Sequence, residues 1–358
     1  MLSALVCPDA QRERPRVQIG DIARAHGNAL RDSCALSSEQ RLVLRALERC
    51  RTAALGGHKF TCDRCGYTVP MYNSCRNRHC PTCQNMEQRK WLERRRETIL
   101  PVPYFHLVFT LPAELRKVVA TNRERMFALM FDAASKTVLI LSRDKKRLGG
   151  MPALTMVLHT WTRDLRFHPH IHAIVSAGAL SPEGTWVPSR KGYLFPVHVM
   201  ARLFRRLLRE ALLKAIDNRE VTVRAEYEPK MRKALFGKKW VAYAKAPFGG
   251  PDQVFSYLGR YTHRVGISNG RILHADERSV TFATRDGRTC SLAPVEFLRR
   301  TCCPQAFTKS DTTACAHRPP RAAEKCRAAA RGGKAPSQYR AEQREQARNR
   351  VSSTQLEN

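Results

Sequence analysis

Apolar and polar positions recur with two different periods along this chain of 358 residues. In "SSEQRLVLRALERCRTAAL" (37–55) the apolar positions fall at helical spacing behind a serine able to cap the first turn, which predicts an amphipathic helix. The same period returns in "QNMEQRKWLERRRETIL" to about residue 100, across 113–141, and most strongly in "PVHVMARLFRRLLREALLKAI" (196–216). "DQVFSYLGRYTHR" also predicts a helix. Elsewhere the period is two. "PYFHLVFTLP" (103–112), "MPALTMVLHTW", "HIHAIVSAG" and "KKWVAYAKAPF" each predict a strand, and "RILHADERSVTFATRDGRTCSLA" predicts a β-meander turning at "ADER" and "RDGR". Helices and strands mix without regular βαβ repeats, so the expected class is α+β with a central, largely antiparallel sheet flanked by helices. Residues 1–36 are polar and are expected to be irregular. From about residue 301 the apolar period fades into a basic tail poor in core-forming residues, which predicts disorder over 301–358.

Charge sharpens this picture. Lys and Arg number 63 against 31 acidic residues, a formal net charge of +32. So much like charge repels itself in a compact fold unless a polyanion is near, and nucleic acid is the leading partner. No apolar run of about 18 residues offers a membrane span, and no amphipathic basic anchor offers a membrane surface contact. The first twenty residues lack the apolar centre of a signal peptide, so an intracellular protein is expected.

Five of the 13 cysteines fall between residues 62 and 83. In a reducing compartment such clustering points to metal. Cys62-x2-Cys65 and Cys80-x2-Cys83 form two knuckles, which together predict a tetrahedral, structural Zn²⁺ site in a small zinc-ribbon-like domain over 37–100. Four thiolates leave no position open for water. Cys75 and His79 lie between the knuckles and are alternatives for one ligand, with packing roles preferred. The other eight cysteines (Cys7, Cys34, Cys50, Cys290, Cys302, Cys303, Cys315, Cys326) read as small hydrophobes. Arg76 and Arg78 on the loop, and Arg89, Lys90, Arg94 and Arg95 on the next helix, read as a DNA-contacting surface or as a solvated helix face.

Two constellations carry candidate chemistry. In "RFHPHIHAIVSAG" the alternation puts His168, His170 and His172 on one strand face, a geometry in which His170 and His172 can share one divalent ion. A satisfied histidine pair is the alternative, and His168, Asp164 and His159 are open choices for a third ligand. In "VFSYLGRYTHRVGIS", Tyr257 and Tyr261 share a helix face beside the basic Arg260, His263 and Arg264. They read as a core aromatic pair or as nucleophiles. A tyrosine phenolate can attack a phosphodiester, and a divalent ion can polarise that phosphate. Mg²⁺ or Mn²⁺ suits phosphate oxygens, and two imidazoles lean toward Mn²⁺.

"HPHIH", "YLGRYTHRVGISNGRI" and "SCRNRHCPTCQ" together resemble the HUH transposases of rolling-circle insertion sequences, the IS91 and IS801 group, from about residue 37 to 300. His170-Ile171-His172 matches histidine, bulky hydrophobic, histidine. The resemblance implies a zinc-binding domain followed by an HUH nuclease domain over 101–300, with Tyr257 and Tyr261 as nucleophiles. It implies a bacterial cytoplasmic protein, nucleoid- or plasmid-associated, that binds insertion-sequence DNA ends and nicks and rejoins single strands through a 5′-phosphotyrosine. A replication initiator or relaxase with the same chemistry, and a non-catalytic zinc-dependent DNA-binding remnant, are the competing readings. After "APVEFLRR" the resemblance stops. Residues 301–315, "TCCPQAFTKSDTTAC", back-translate in a frame shifted by one base to H-V-L-P-P-G-F-H-K-V-R-H-Y-G-L, similar to the continuation usual in the group. A frameshift near Arg300 is therefore expected, and codons unable to encode that string would refute it.

Overall fold

A computed structural model describes residues 17–302 apart from 64, 78, 85–89, 91–92, 94–98, 163, 191, 238, 249–252, 254–266 and 285–286. Two helices come first, α1 (Ile19–Ser33) and α2 (Ser38–Arg49), then a hairpin of β1 (Gly57–Thr61) and β2 (Thr68–Tyr72). Next are β3 (Tyr104–Thr110), α3 (Arg116–Thr121), α4 (Arg123–Arg143), β4 (Leu154–Trp161), β5 (Phe167–Ser176) and the short strands β6 (Gly178–Leu180) and β7 (Trp186–Pro188). The described chain continues with α5 (Val197–Asp217), α6 (Glu228–Phe236), β8 (Ala242–Phe248), the meander β9 (Ile272–Ala275), β10 (Val280–Ala283) and β11 (Thr289–Leu292), and α7 (Pro294–Cys302). The α+β expectation holds.

The central sheet has the order β4-β5-β3-β8, with every neighbouring pair antiparallel. Its two faces differ in chemistry because side chains alternate along each strand. Leu154, Met156 and Leu158 of β4, Ile171, Ala173 and Val175 of β5, and Phe105, Leu107 and Phe109 of β3 form the helix-covered face. They pack with Met126, Phe127 and Met130 of α4 and Phe204, Leu208 and Leu212 of α5; the Phe109 and Phe204 rings lie 5.0 Å apart. The opposite face carries His106 and Val108 of β3, Val157 and His159 of β4, and His168, His170 and His172 of β5. Pro169 interrupts β5 where it is tolerated. Pairing with β3 ends at Thr110 opposite His170, and the β4 register shifts between His159 and Trp161, so the missing N–H falls at an irregularity.

Two expectations need correction. Residues 1–36 are not irregular throughout: Ile19–Ser33 is a helix. Its apolar positions Ile19, Ile22, Ala23 and Leu30 are buried, but the Arg, His and Asn residues between them dilute the period. The single helix expected across 113–141 is split. Asn122 leaves helical geometry (φ −122°, ψ 47°) and clamps Thr222, whose N–H it accepts at 2.8 Å and whose carbonyl it donates to at 2.8 Å. Most of the helix expected over residues 252–264 and most of the basic helix before residue 100 lie outside the described residues.

A second core joins chain segments far apart in sequence. Ile19, Leu30, Leu44 and Leu47 of α1 and α2 pack with Cys50, Cys80 and Cys83, and with Ile272, Val280, Phe282, Phe297 and Leu298 of the meander and α7. Asn269 ties the same parts together: its Oδ1 accepts the Ile19 N–H at 3.2 Å and its Nδ2 donates to Thr82 Oγ1 at 3.0 Å.

Candidate metal centres on the thiol cluster and the sheet

The structure brings Cys80 and Cys83 together with Cys50 and Cys75, and leaves Cys62 and Cys65 elsewhere. The ligand atoms of Cys50, Cys75, Cys80 and Cys83 all lie within 4.8 Å of one another. The sulfur separations are 3.6 Å for Cys50–Cys83, 3.6 Å for Cys75–Cys83 and 3.5 Å for Cys80–Cys50. A tetrahedral Zn²⁺ with Zn–S of about 2.3 Å has sulfur edges of roughly 3.8 Å. The donor set therefore fits zinc. This corrects the expected ligand geometry, and the reason is the hairpin. The Cys62–Cys65 knuckle caps the tip of β1–β2, where the Cys62 carbonyl accepts the Gly66 N–H at 2.9 Å. Cys50 and Cys75 flank the hairpin's base, five strand residues away, about 17 Å at a strand rise of 3.4 Å.

The local backbone is shaped to serve these sulfurs. Arg51 and Arg76, each directly after a cluster cysteine, adopt left-handed φ values of 58° and 50°. Such a conformation costs a non-glycine residue about 1–2 kcal/mol. The backbone N–H groups of Cys75, Arg76 and Asn77 donate to the sulfurs of Cys50, Cys83 and Cys75 respectively, bonds that favour thiolate. Within the crowded set, hydrogen bonding with Cys50 is the main cause pushing Cys75 and Cys80 well above the ordinary thiol range and Cys83 well below it. Cys50 itself is drawn down to about 7, chiefly by its bond with Cys75. Four thiols this close cannot all ionise without a cation among them.

The second constellation is on the sheet. The ring nitrogens of His159, His170 and His172 lie within 4.8 Å of one another, so the third imidazole beside the pair is that of His159 on β4, directly opposite His170. His170 Nδ1 bonds the His168 carbonyl at 2.7 Å, and His172 Nδ1 faces His106 Nε2 at 2.8 Å. A neutral imidazole that keeps its proton on Nδ1 presents its lone pair on Nε2. Burial pushes the His170 pKa down to about 4, which keeps it in the neutral form a metal requires. His106 is likewise pushed down to about 4, first by burial and then by the charge of Lys245.

The other third-ligand choices are used differently. His168 Nδ1 meets Arg116 Nη2 at 3.1 Å, and burial with that neighbouring charge lowers its pKa. Asp164 is held by the Thr162 hydroxyl and by Arg166, while its carbonyl accepts Arg300 Nη1 at 3.0 Å. Tyr257, Tyr261, Arg260, Arg264, Arg78, Arg89, Arg94 and Arg95 lie outside the described residues. Arg76 is exposed, and so is Lys90. Sequence reasoning passed over Cys50 and His106. For Cys50 a signal existed: two five-residue strands around "CDRC" put that knuckle at a tip and Cys75 at the base. For His106 no local signal existed, because its partner is 66 residues away.

Residues 22–111 match the family model Zn_Tnp_IS91, described as "Transposase zinc-binding domain", and residues 153–304 match Y2_Tnp, described as "Putative transposase". The first match begins within α1, in the stretch whose helical period the sequence hides. The chain is 41% identical over 299 residues to "Putative transposase y4qJ" of Sinorhizobium fredii (strain NBRC 101917 / NGR234), covering 79% of this chain and 75% of that protein. It is 29% identical over 250 residues to "Transposase for insertion sequence element IS801" of Pseudomonas savastanoi pv. phaseolicola, covering 67% of this chain and 59% of that protein. No solved structure matches. No described helix is long and apolar enough to cross a membrane.

Proposed function

Because the chain belongs to the IS91/IS801 family of transposases, whose reactions act on DNA, we propose that it nicks and rejoins single DNA strands at insertion-sequence ends by a rolling-circle route. The observation that carries this reading is the convergence of His159, His170 and His172 on one face of the central sheet. These three imidazoles would hold a divalent ion, Mn²⁺ or Mg²⁺, which when bound supplies charge to polarise the scissile phosphate. Tyr257 and Tyr261 are the proposed nucleophiles. The phenolate oxygen of one forms a bond to phosphorus, the bond from phosphorus to the 3′ oxygen breaks, and the departing 3′ oxygen takes up a proton. The phosphodiester's energy is kept in the 5′-phosphotyrosine, so a 3′ hydroxyl can later reverse the exchange without ATP. A second tyrosine allows a second strand to be cut while the first is held.

Cys50, Cys75, Cys80 and Cys83 would hold a structural Zn²⁺, an assignment supported by their sulfur separations and by the match of 22–111. The exposed Arg76 on that module, with Arg78, Arg89, Lys90, Arg94 and Arg95, and with Arg260 and Arg264 near the tyrosines, is proposed to contact DNA phosphates.

The test is a covalent-adduct assay. The full chain is incubated with Mn²⁺ and a single-stranded oligonucleotide carrying the element's end, then run on a denaturing gel. An adduct is expected, lost in the Tyr257→Phe, Tyr261→Phe double variant. An adduct that survives the double substitution refutes the nucleophile assignment. Retained gel-shift binding with no adduct favours a DNA-binding remnant instead.

A further inference from the structure

We propose that His106 is a positioning residue for the imidazole set, fixing the rotation and tautomer of His172 so that its Nε2 is the atom presented to a metal ion. This rests on the reading that His159, His170 and His172 bind a divalent ion. His106 is on β3, on the same sheet face as the three imidazoles and diagonal to His172 in the β3–β5 register. The two rings lie edge to edge: their planes are within 7° of each other, their centres are 5.1 Å apart, and Nε2 of His106 meets Nδ1 of His172 at 2.8 Å. A hydrogen bond lying in both ring planes fixes the His172 ring in rotation as well as position. Both residues are buried, at 7% and 9% exposure. A buried polar ring left without its hydrogen bond loses the solvation it gave up on folding and gains nothing in return, so each ring holds the other in place.

The arrangement is matched on the neighbouring ligand. His170 is oriented through the same atom, Nδ1, by the His168 carbonyl at 2.7 Å. With the proton on Nδ1 of His172 donated to His106 Nε2, both imidazoles of the His170–His172 pair present the same nitrogen. Backbone serves one and the His106 side chain serves the other. A buried pair that only packed would need no such agreement. Residues that orient a metal ligand typically change metal affinity 10–100-fold when removed.

The experiment measures Mn²⁺ binding to the full chain by calorimetry and by the paramagnetic resonance signal of bound Mn²⁺. It compares the unsubstituted chain with His106→Leu, His106→Gln and His106→Asn, with metal-free thermal unfolding of each in parallel. Gln can place its side-chain oxygen where Nε2 stands, whereas Asn is too short to reach. Gln is expected to keep affinity within about threefold, and Leu and Asn to bind 10–100-fold more weakly. Should Leu fail to fold, the Gln and Asn pair carries the comparison. Equal affinity in the unsubstituted chain and Asn overturns the positioning role while leaving the metal reading intact. No Mn²⁺ binding by the unsubstituted chain, or binding that His170→Ala leaves unchanged, overturns both.

Discussion

Replacing Cys50 by serine swaps sulfur for oxygen with almost no change in shape, in a side chain 8% exposed within the second core. Packing is nearly conserved, so the effect on the metal-free protein should be small. The effect on zinc should be large. Structural zinc sites bind with apparent free energies of about 10–16 kcal/mol, roughly 3 kcal/mol for each of four ligands. Losing one ligand should weaken zinc binding by about 100-fold, which lowers zinc-linked stability by about 2.7 kcal/mol when zinc is saturating. Thermal unfolding of the zinc-loaded variant should fall by several degrees, with the chelated form almost unmoved. Metal content by mass spectrometry and competition with a chromogenic chelator give the affinity. Cys62→Ser, at the exposed hairpin tip, should leave this site within a few-fold of the unsubstituted protein. Refutation would be the reverse pattern: Cys62→Ser losing the zinc while Cys50→Ser retains it.

Two further outcomes follow from the structure. His106 and His170 have folded pKa values of about 4 against an ordinary value of 6.5, so below pH 6.5 the unfolded chain binds more protons than the folded one. Stability of the metal-free protein should therefore fall between pH 6.5 and 4, by about 1.4 kcal/mol per pH unit for each group, and urea unfolding that is flat across this range would contradict the burial of these rings. Binding to single-stranded DNA should weaken steeply between 50 and 200 mM salt, and Arg76→Ala should reduce the slope of log affinity against log salt by about 0.7, measured by fluorescence anisotropy.

Much of the fold was readable because its strongest periods belong to its most regular contacts. The β5 alternation of imidazole with Ile171, Ala173 and Val175 separates the two faces of the central sheet as expected. The 196–216 pattern corresponds to α5, and the meander turns where "ADER" and "RDGR" stand. What failed depended on partners distant in sequence. Ile19, Ile22 and Leu30 look like scattered apolar residues until α7 and the meander supply the other half of their core. Cys50 looks like a buried small residue until the hairpin folds and brings Cys75 back to it. Spacing alone favoured two C-x-x-C pairs, because it counts residues and ignores the length a strand imposes. His159 was one of three open choices for a third ligand, beside His168 and Asp164, and only the β4–β5 register puts it opposite His170.

The bond from the Ile19 amide to the Asn269 side chain spans 250 residues of sequence, and the core around it is shared between the first and last described helices. Closing such a loop costs about 2 kcal/mol more entropy than closing one a tenth as long. Contacts of this range also slow folding. At 5–20 residues per second, roughly 10–40 s separate synthesis of Cys83 from synthesis of Leu298. Through that interval Ile19, Leu30, Leu44 and Leu47 of the thiol-bearing module lack the meander and α7 residues they pack with, so their apolar faces stand open to water and to chaperones until Leu298 is made.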